Sequence, residues 1–452
     1  MSPVNPVHPV RARENELRER AAHTVATVAR RLADPGAMPA PAPASASARD
    51  ASVFHAASLS DGAPGIALLH AELAHTDPAH RATAHRWIRH AASLARLATA
   101  PGPQGLYGPL AALSFALHRA ADGPDGQRAA RAHLGGLVAD VAGARAEREE
   151  QRLDGNLGCT TFTAYDVISG QAGLGAHLLE LGRPAEAAVT RLLRALTSLT
   201  RPVRADNRVL PGWWVALDGA AYRPVVPSAG HANLGMAHGV PGPLALLALA
   251  WSQGVRVPGQ RAAITELAEW LLAQRQTDSE GPWWPGQLSL GPSRQRPGRP
   301  SWCYGTPGIA RALQLAGLAL GVSRWQEAAV VALRSALTRA EAGEAGDAGE
   351  AEPPAEAGLC HGLAGLLQIT WRVARDSGDP RLAGHLPGLA ARLLDLADED
   401  APFGFATAPG ERPPEEHPGG FLTGAAGAAL ALHTFASDTA PATRWDRALL
   451  LA

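Results

Sequence analysis

The sequence predicts an all-α protein, an (α/α)7 toroid of seven inner and seven outer helices. Three observations carry that expectation. First, seven segments share the pattern Gly-x-x-Gly followed by an apolar run, beginning at Gly62, Gly105, Gly170, Gly239, Gly305, Gly362 and Gly424. Six intervals separate them, of 43, 65, 69, 66, 57 and 62 residues, and near 60 residues is what two helices and their loops need. Second, the post-glycine runs, such as PLALLALAW, are apolar on most faces and suit a buried inner layer. The segments that precede the glycines, such as 260–276, are amphipathic and suit an outer one. Third, alternating β-branched runs are scarce. Seven helical hairpins can stack as an open solenoid or close into a ring, and an inner layer inside an outer one suggests the ring.

In chain order, residues 12–33 read as a helix, because Ala21, Val25, Val28 and Leu32 recur at helical spacing between arginines. A Pro/Ala/Ser-rich linker is expected over 35–50, which divides the chain into an N-terminal helix and linker (1–50) and a repeat domain (51–452). The segment 341–358 is acidic and lacks large apolar residues, so a solvated loop is expected there. The glycines at the head of each repeat permit a tight turn and a close approach of backbones.

Composition narrows the function. The chain has 452 residues and a formal net charge of −1, so no global field favours nucleic acid or an anionic membrane. Its 41 basic residues are all arginine, which excludes a P-loop, a Schiff-base lysine and a kinase-type lysine. The longest apolar stretch, around Pro243 to Trp251, is too short to span a bilayer, and the first twenty residues lack the apolar core of a secretory signal. A cytoplasmic location is expected, with the inner face of the membrane as a peripheral alternative. Three cysteines are too few for a disulfide framework and are better candidates for metal or catalytic work.

Equivalent repeat positions in a ring lie at one end of it. The residue before each first glycine is Asp61, Gln104, Ser169, His238, Tyr304, His361 or Thr423, with Cys303 and Cys360 one place further back. SWCYG and LCHG therefore put Cys303, Cys360 and His361 at matching turns of neighbouring repeats. Two thiolates and an imidazole are one ligand short of a tetrahedral zinc site, which is the catalytic pattern of zinc. Cys159 falls outside this register and reads as structural. The tryptophan pairs 213–214 and 283–284 lie in Pro/Gly-rich loops and are expected to pack, with a peptide groove as the alternative.

NLGMAHGVPG (233–242), SWCYGTPG (301–308), GLCHGLAG (358–365) and YDVISGQAG (165–173) resemble the signature motifs of lanthionine synthetase C-like proteins, which include the class I lanthipeptide cyclases. The likeness spans about residues 55–435, with all seven glycine repeats in the place of that family's inner barrel. It implies one Zn2+ per chain on Cys303, Cys360 and His361, an acid/base histidine at His238, an aspartate at Asp166, an arginine at Arg299 and a tyrosine at Tyr304. Arg296 competes with Arg299 for the arginine, and Pro300 constrains the backbone beside it.

The implied reaction is addition of a cysteine thiolate to dehydroalanine or dehydrobutyrine in a dehydrated precursor peptide, leader and core, closing a thioether ring. The implied partners are that peptide, a dehydratase and a membrane transporter. Zinc favours the thiolate, a histidine near its ordinary pKa can deliver a proton, and an arginine can meet a developing oxyanion. Asp166 could orient His238 or accept the thiol proton. A stand-alone cyclase is expected over a bifunctional synthetase, since about 50 residues precede the first repeat. Alternatives are addition of another thiol such as glutathione, and a non-catalytic peptide-binding scaffold. Zinc prenyltransferases also use a helical ring, but with a carboxylate among their ligands.

Overall fold

The computed structural model describes residues 7–37, 46–98, 104–121, 123, 126–218, 223–291, 295–342, 356–405 and 419–452. Among them are sixteen α-helices and three two-stranded antiparallel sheets built from strands of three residues. The chain divides into two compact units, Met1–Thr99 with Pro354–Trp445, and Ala100–Pro353 with Asp446–Ala452. No helix among the described residues is long and apolar enough to cross a membrane.

Every one of the seven glycine segments runs into a helix: Ala63–Leu73, Pro109–Arg119, Gln171–Leu181, Pro241–Ser252, Thr306–Leu320, Leu363–Ser377 and Ala425–Ser437. Their burial follows their composition. Pro241 through Ala250 are all buried, so that helix meets water only at its last two residues. The helices that follow bury one stripe only. In Gln260–Ala273 the buried residues Gln260, Ala263, Ile264, Leu267, Ala268 and Leu271 recur at three- and four-residue steps. The chain beyond it turns into the strand Gln276–Asp278, so the amphipathic helix stops short of 276.

The glycines act by contact. Gly365 would place a Cβ 2.0 Å from the carbonyl oxygen of Leu359, six residues upstream, and Gly173 would place one 1.9 Å from that of Val167. Both lie in the first turn of a helix, with extended backbone at the caps Gly362 and Gly170. What only glycine provides here is the missing side chain.

In the first unit, Ala63–Leu73 packs on His80–Leu97, and Leu363–Ser377 on Pro380–Leu394. The last repeat helix, Ala425–Ser437, has no long helix after it. Its partner is the N-terminal helix, Val7–Arg31, which buries Ala21, Val25, Val28 and Ala29, with Leu32 just beyond. Arg18 of that helix donates to the carbonyl of Phe435, in the last turn of its partner, and its guanidinium lies 4.9 Å from the Phe435 ring. The Leu32 carbonyl accepts from Trp87 Nε1 at 2.7 Å and lies 2.9 Å from His70 Nε2, which ties the end of the helix down. The expected linker over 35–50 is shorter than composition suggests. A 3-10 turn covers Pro35–Ala37, residues 38–45 lie outside the described residues, and helix Ala46–Ala57 begins within the Ala/Ser-rich stretch. Of the expected acidic loop, 343–355 likewise lie outside the described residues.

In the second unit, Pro109–Arg119 packs on Arg128–Asp154, Gln171–Leu181 on Glu186–Ser198, and Thr306–Leu320 on Ser323–Ala342. The C-terminal segment is threaded among them. Tyr107 Oη donates to the Ala448 carbonyl at 3.0 Å, Trp302 Nε1 to that of Leu449 at 2.9 Å, and Arg311 Nε to that of Leu451 at 2.9 Å. Trp213 and Trp284 are buried, Trp213 edge-on to Trp270 at 4.9 Å, so the tryptophan pairs pack as expected.

Two stability predictions follow from these contacts. Gly365→Ala should cost about 3 kcal/mol or more, because the clash is with backbone, whereas Gly136→Ala, exposed in mid-helix with open space around it, should gain up to about 1 kcal/mol. Denaturant titration of both variants measures the contrast. Burial pushes the His70 imidazole from 6.5 down to about 4. The unfolded chain therefore binds more protons below about pH 6.5, and stability must fall as pH drops toward 4. His70 alone should remove about 2 kcal/mol between pH 7 and 5, a loss that His70→Gln should reduce in a pH series of melting curves.

Candidate active site and metal centre

The second unit brings His238 and Asp166 together. His238 stands in the turn before helix Pro241–Ser252, and its Nδ1 lies 2.6 Å from Asp166 Oδ2. Asp166 is fully buried, while the His238 side chain is 26% exposed, so the pair has one protected and one open end. Asp166 follows the short helix Phe162–Tyr165, and its Oδ1 accepts from the Ser169 backbone N–H at 2.7 Å. Ser169 Oγ donates to the same carboxylate at 3.1 Å. The carboxylate thus serves both as a local turn cap and as the partner of His238. A backbone bond from Val167 N to the Ala237 carbonyl, 3.0 Å, holds the two loops at this spacing.

Arg145 was not visible to sequence reasoning. It projects from helix Arg128–Asp154, is buried, and donates to the carbonyls of Ser169 and Thr163, on either side of Asp166. Burial lowers its pKa, and the neighbouring Asp166 charge opposes that shift. The signal available was only a helical arginine on an otherwise buried position.

The open end of His238 is flanked by rings. Phe162 lies 5.3 Å away and Tyr304 6.1 Å, both tilted. Tyr304 Oη accepts from Asn233 Nδ2 at 3.4 Å, and Asn233 Oδ1 accepts from Gly235 N at 2.9 Å. Ala237 N donates to the carbonyl of Cys303 at 3.3 Å, joining the His238 turn to the SWCYG turn. Cys303 is buried, with Ser301 Oγ 3.7 Å from its sulfur, a second contact that the motifs did not reveal. Arg299 and Arg296 are both half-buried on the approach to Cys303, and the Arg299 carbonyl packs against Gly305. Cys159 is half-buried, and burial pushes its thiol above the ordinary range, which suits a structural residue.

In the first unit, Cys360 is half-buried with its N–H bonded to the Leu422 carbonyl at 2.9 Å. His361 Nε2 lies 2.7 Å from Glu356 Oε2. Among the described residues, one group could hold a metal ion: Cys303, Cys360 and His361, with one ligand atom from each and all three within 4.8 Å of one another. Two sulfur donors and one imidazole nitrogen are ligands that tetrahedral zinc takes. Two thiolates also balance a divalent charge, and the soft donor set fits zinc.

A family model for lanthionine synthetase C-like protein matches residues 53–450. Comparison with curated protein sequences finds no match. Among solved structures the chain is similar to nisin cyclase, with a TM-score of 0.69 and 21% identity, over 88% of this chain and 93% of that one. The likeness shows the fold, the (α/α)7 toroid expected from the sequence.

The differing exposure of the pair gives a prediction. Asp166→Ala should cost about 2 kcal/mol, since it strips a buried backbone N–H of its acceptor, while His238→Ala should cost about 1 kcal/mol or less. Chemical denaturation of the two variants separates these outcomes.

Proposed function

Because the chain belongs to the lanthionine synthetase C-like family, we propose that it is a zinc-dependent lanthipeptide cyclase. In this reading it joins precursor-peptide cysteines to dehydroalanine or dehydrobutyrine as (methyl)lanthionine rings. The observation that carries the reading is the grouping of Cys303, Cys360 and His361, with Tyr304, the neighbour of Cys303, against His238. The nisin cyclase likeness is consistent with a peptide substrate.

A zinc ion held by Cys303, Cys360 and His361 would supply a substrate cysteine as thiolate at neutral pH. The thiolate sulfur bonds to the β-carbon of the dehydro residue, and the π electrons move toward the carbonyl as an enolate. His238 then delivers a proton to the α-carbon. Nδ1 lies against Asp166, and delivery of the proton is assigned to Nε2. Asp166, fixed by Ser169, orients the ring. Arg299 is assigned the enolate oxygen, with Arg296 on the same segment as its competitor. Phe162 and Tyr304 would flank the reacting atoms with ring surface. Residues 51–452 would be the catalytic domain. A dehydratase and a transporter would be the working partners, at a cytoplasmic site.

The test pairs metal content with ring closure on a dehydrated peptide. Wild type should carry one zinc per chain, and Cys303→Ala and Cys360→Ala should each lose it together with cyclisation. His238→Asn should keep the zinc and lose about 100-fold or more in rate. Wild type free of zinc and indifferent to both cysteine changes would sink the reading and leave a peptide-binding scaffold.

A further inference from the structure

The two thiolates of the proposed centre have one donor atom each, but His361 has two, and which of them meets the metal is set by whatever holds the other. His361 Nε2 lies 2.7 Å from Glu356 Oε2, within charge-assisted hydrogen-bond distance. An imidazole that donates from Nε2 carries its lone pair on Nδ1.

Glu356 is not placed by chance. Its carbonyl accepts from Leu363 N at 2.8 Å, and a Cβ on Gly362 would stand 2.3 Å from that same oxygen. Ala364 N and Gly365 N continue the pairing onto the carbonyls of Ala357 and Gly358, at 3.2 and 3.3 Å. The chain from Glu356 to Gly365 is therefore one closed turn that carries Cys360 and His361, with Glu356 locked at its mouth. The Glu356 side chain is 23% exposed, so the carboxylate is partly withdrawn from water. It is not part of the donor group itself.

We propose that Glu356 is a positioning residue of the metal centre, which holds His361 in the tautomer that ligates through Nδ1 and strengthens that nitrogen as a donor. The inference rests on the zinc reading above. With two thiolates already balancing the ion, the carboxylate's negative charge, passed on through the imidazole, favours a more electron-rich centre. A bound substrate sulfur then stays nucleophilic. Glu356→Gln keeps an acceptor oxygen without the charge, and Glu356→Ala removes both.

The full-length chain is tested with zinc alone, by competition against a colorimetric chelator. Zinc affinity should fall about 10–100-fold in Glu356→Ala and less in Glu356→Gln, with one zinc per chain still bound at saturation. The melting temperature of the metal-free protein should be unchanged in Glu356→Gln, which separates metal positioning from a purely structural role. Nitrogen-15 NMR of the zinc-loaded wild type should show His361 protonated at Nε2. Affinity within twofold of wild type in both variants, or His361 bound through Nε2, would overturn the proposal while leaving the zinc reading intact. Wild type without zinc, or with zinc that Cys303→Ala does not release, would overturn both. Should Glu356→Ala fail to fold, Glu356→Gln and the NMR signature decide.

Discussion

Everything near the proposed chemistry depends on a contact that a side chain would forbid. At the head of a repeat, the carbonyl of a residue six places upstream lies where a Cβ would be: Leu359 against Gly365, Val167 against Gly173, Trp302 against Gly308, Phe421 against Gly427. This folds the preceding loop tightly onto the first turn of a buried helix. The residues between carbonyl and glycine stand on that tight turn, and the candidate site residues are among them. Cys303 and Tyr304 lie inside one such turn, Cys360 and His361 inside another, Ser169 inside a third. Where the turn carries no reactive group it is used for structure, as at Asp61, whose carboxylate accepts from Ser60 Oγ at 2.8 Å and Thr423 Oγ1 at 3.0 Å.

The electrostatics of the His238–Asp166 pair follow from this packing. A fully buried carboxylate is costly unless its lone pairs are occupied. Asp166 meets that requirement with the Ser169 N–H and hydroxyl on one side and the His238 ring on the other. Arg145 adds a buried cation whose hydrogen bonds go to the flanking carbonyls instead of to the carboxylate itself. The guanidinium therefore ties down the backbone on either side of Asp166 without competing with His238 for the carboxylate. A direct Arg145–Asp166 bond would have drawn the acceptor away from the imidazole.

The sequence was legible where periodicity or repeat register carries information. The buried stripe Ala21, Val25, Val28 is the one its spacing implies, and the grouping of Cys303, Cys360 and His361 matches their shared position in successive repeats. Asp166 lies three residues before Ser169, outside that register, and only the family resemblance pointed to it. Contacts across elements were not legible. Arg18 and Phe435 are 417 positions apart, and no local pattern says that the first helix partners the last repeat. Arg145 acts on backbone carbonyls of another element, which have no sequence signature at all. The three-residue strands, including His231–Asn233 paired with Gln287–Ser289, are too short for alternation to show.

The spacing between Cys303 and His238, the proposed thiol donor and acid/base group, is then a backbone property. Ala237 N reaches the Cys303 carbonyl at 3.3 Å, and Gly235 would place a Cβ 2.3 Å from that same oxygen. The His238 turn and the Cys303 turn are thus in direct main-chain contact, with no flexible side chain between them. Side-chain rotation can change how the imidazole or the thiol points, but not how far apart their anchors stand. In the proposed reaction, proton delivery to the carbon next to the new C–S bond tolerates little variation in that distance, because effective molarity falls steeply once reacting atoms leave contact range. A peptide substrate with several cysteines presents each of them in a different local conformation. Under the proposed function, a catalyst that accepts them all gains from fixing its own half of the geometry in the backbone and leaving the substrate half to vary.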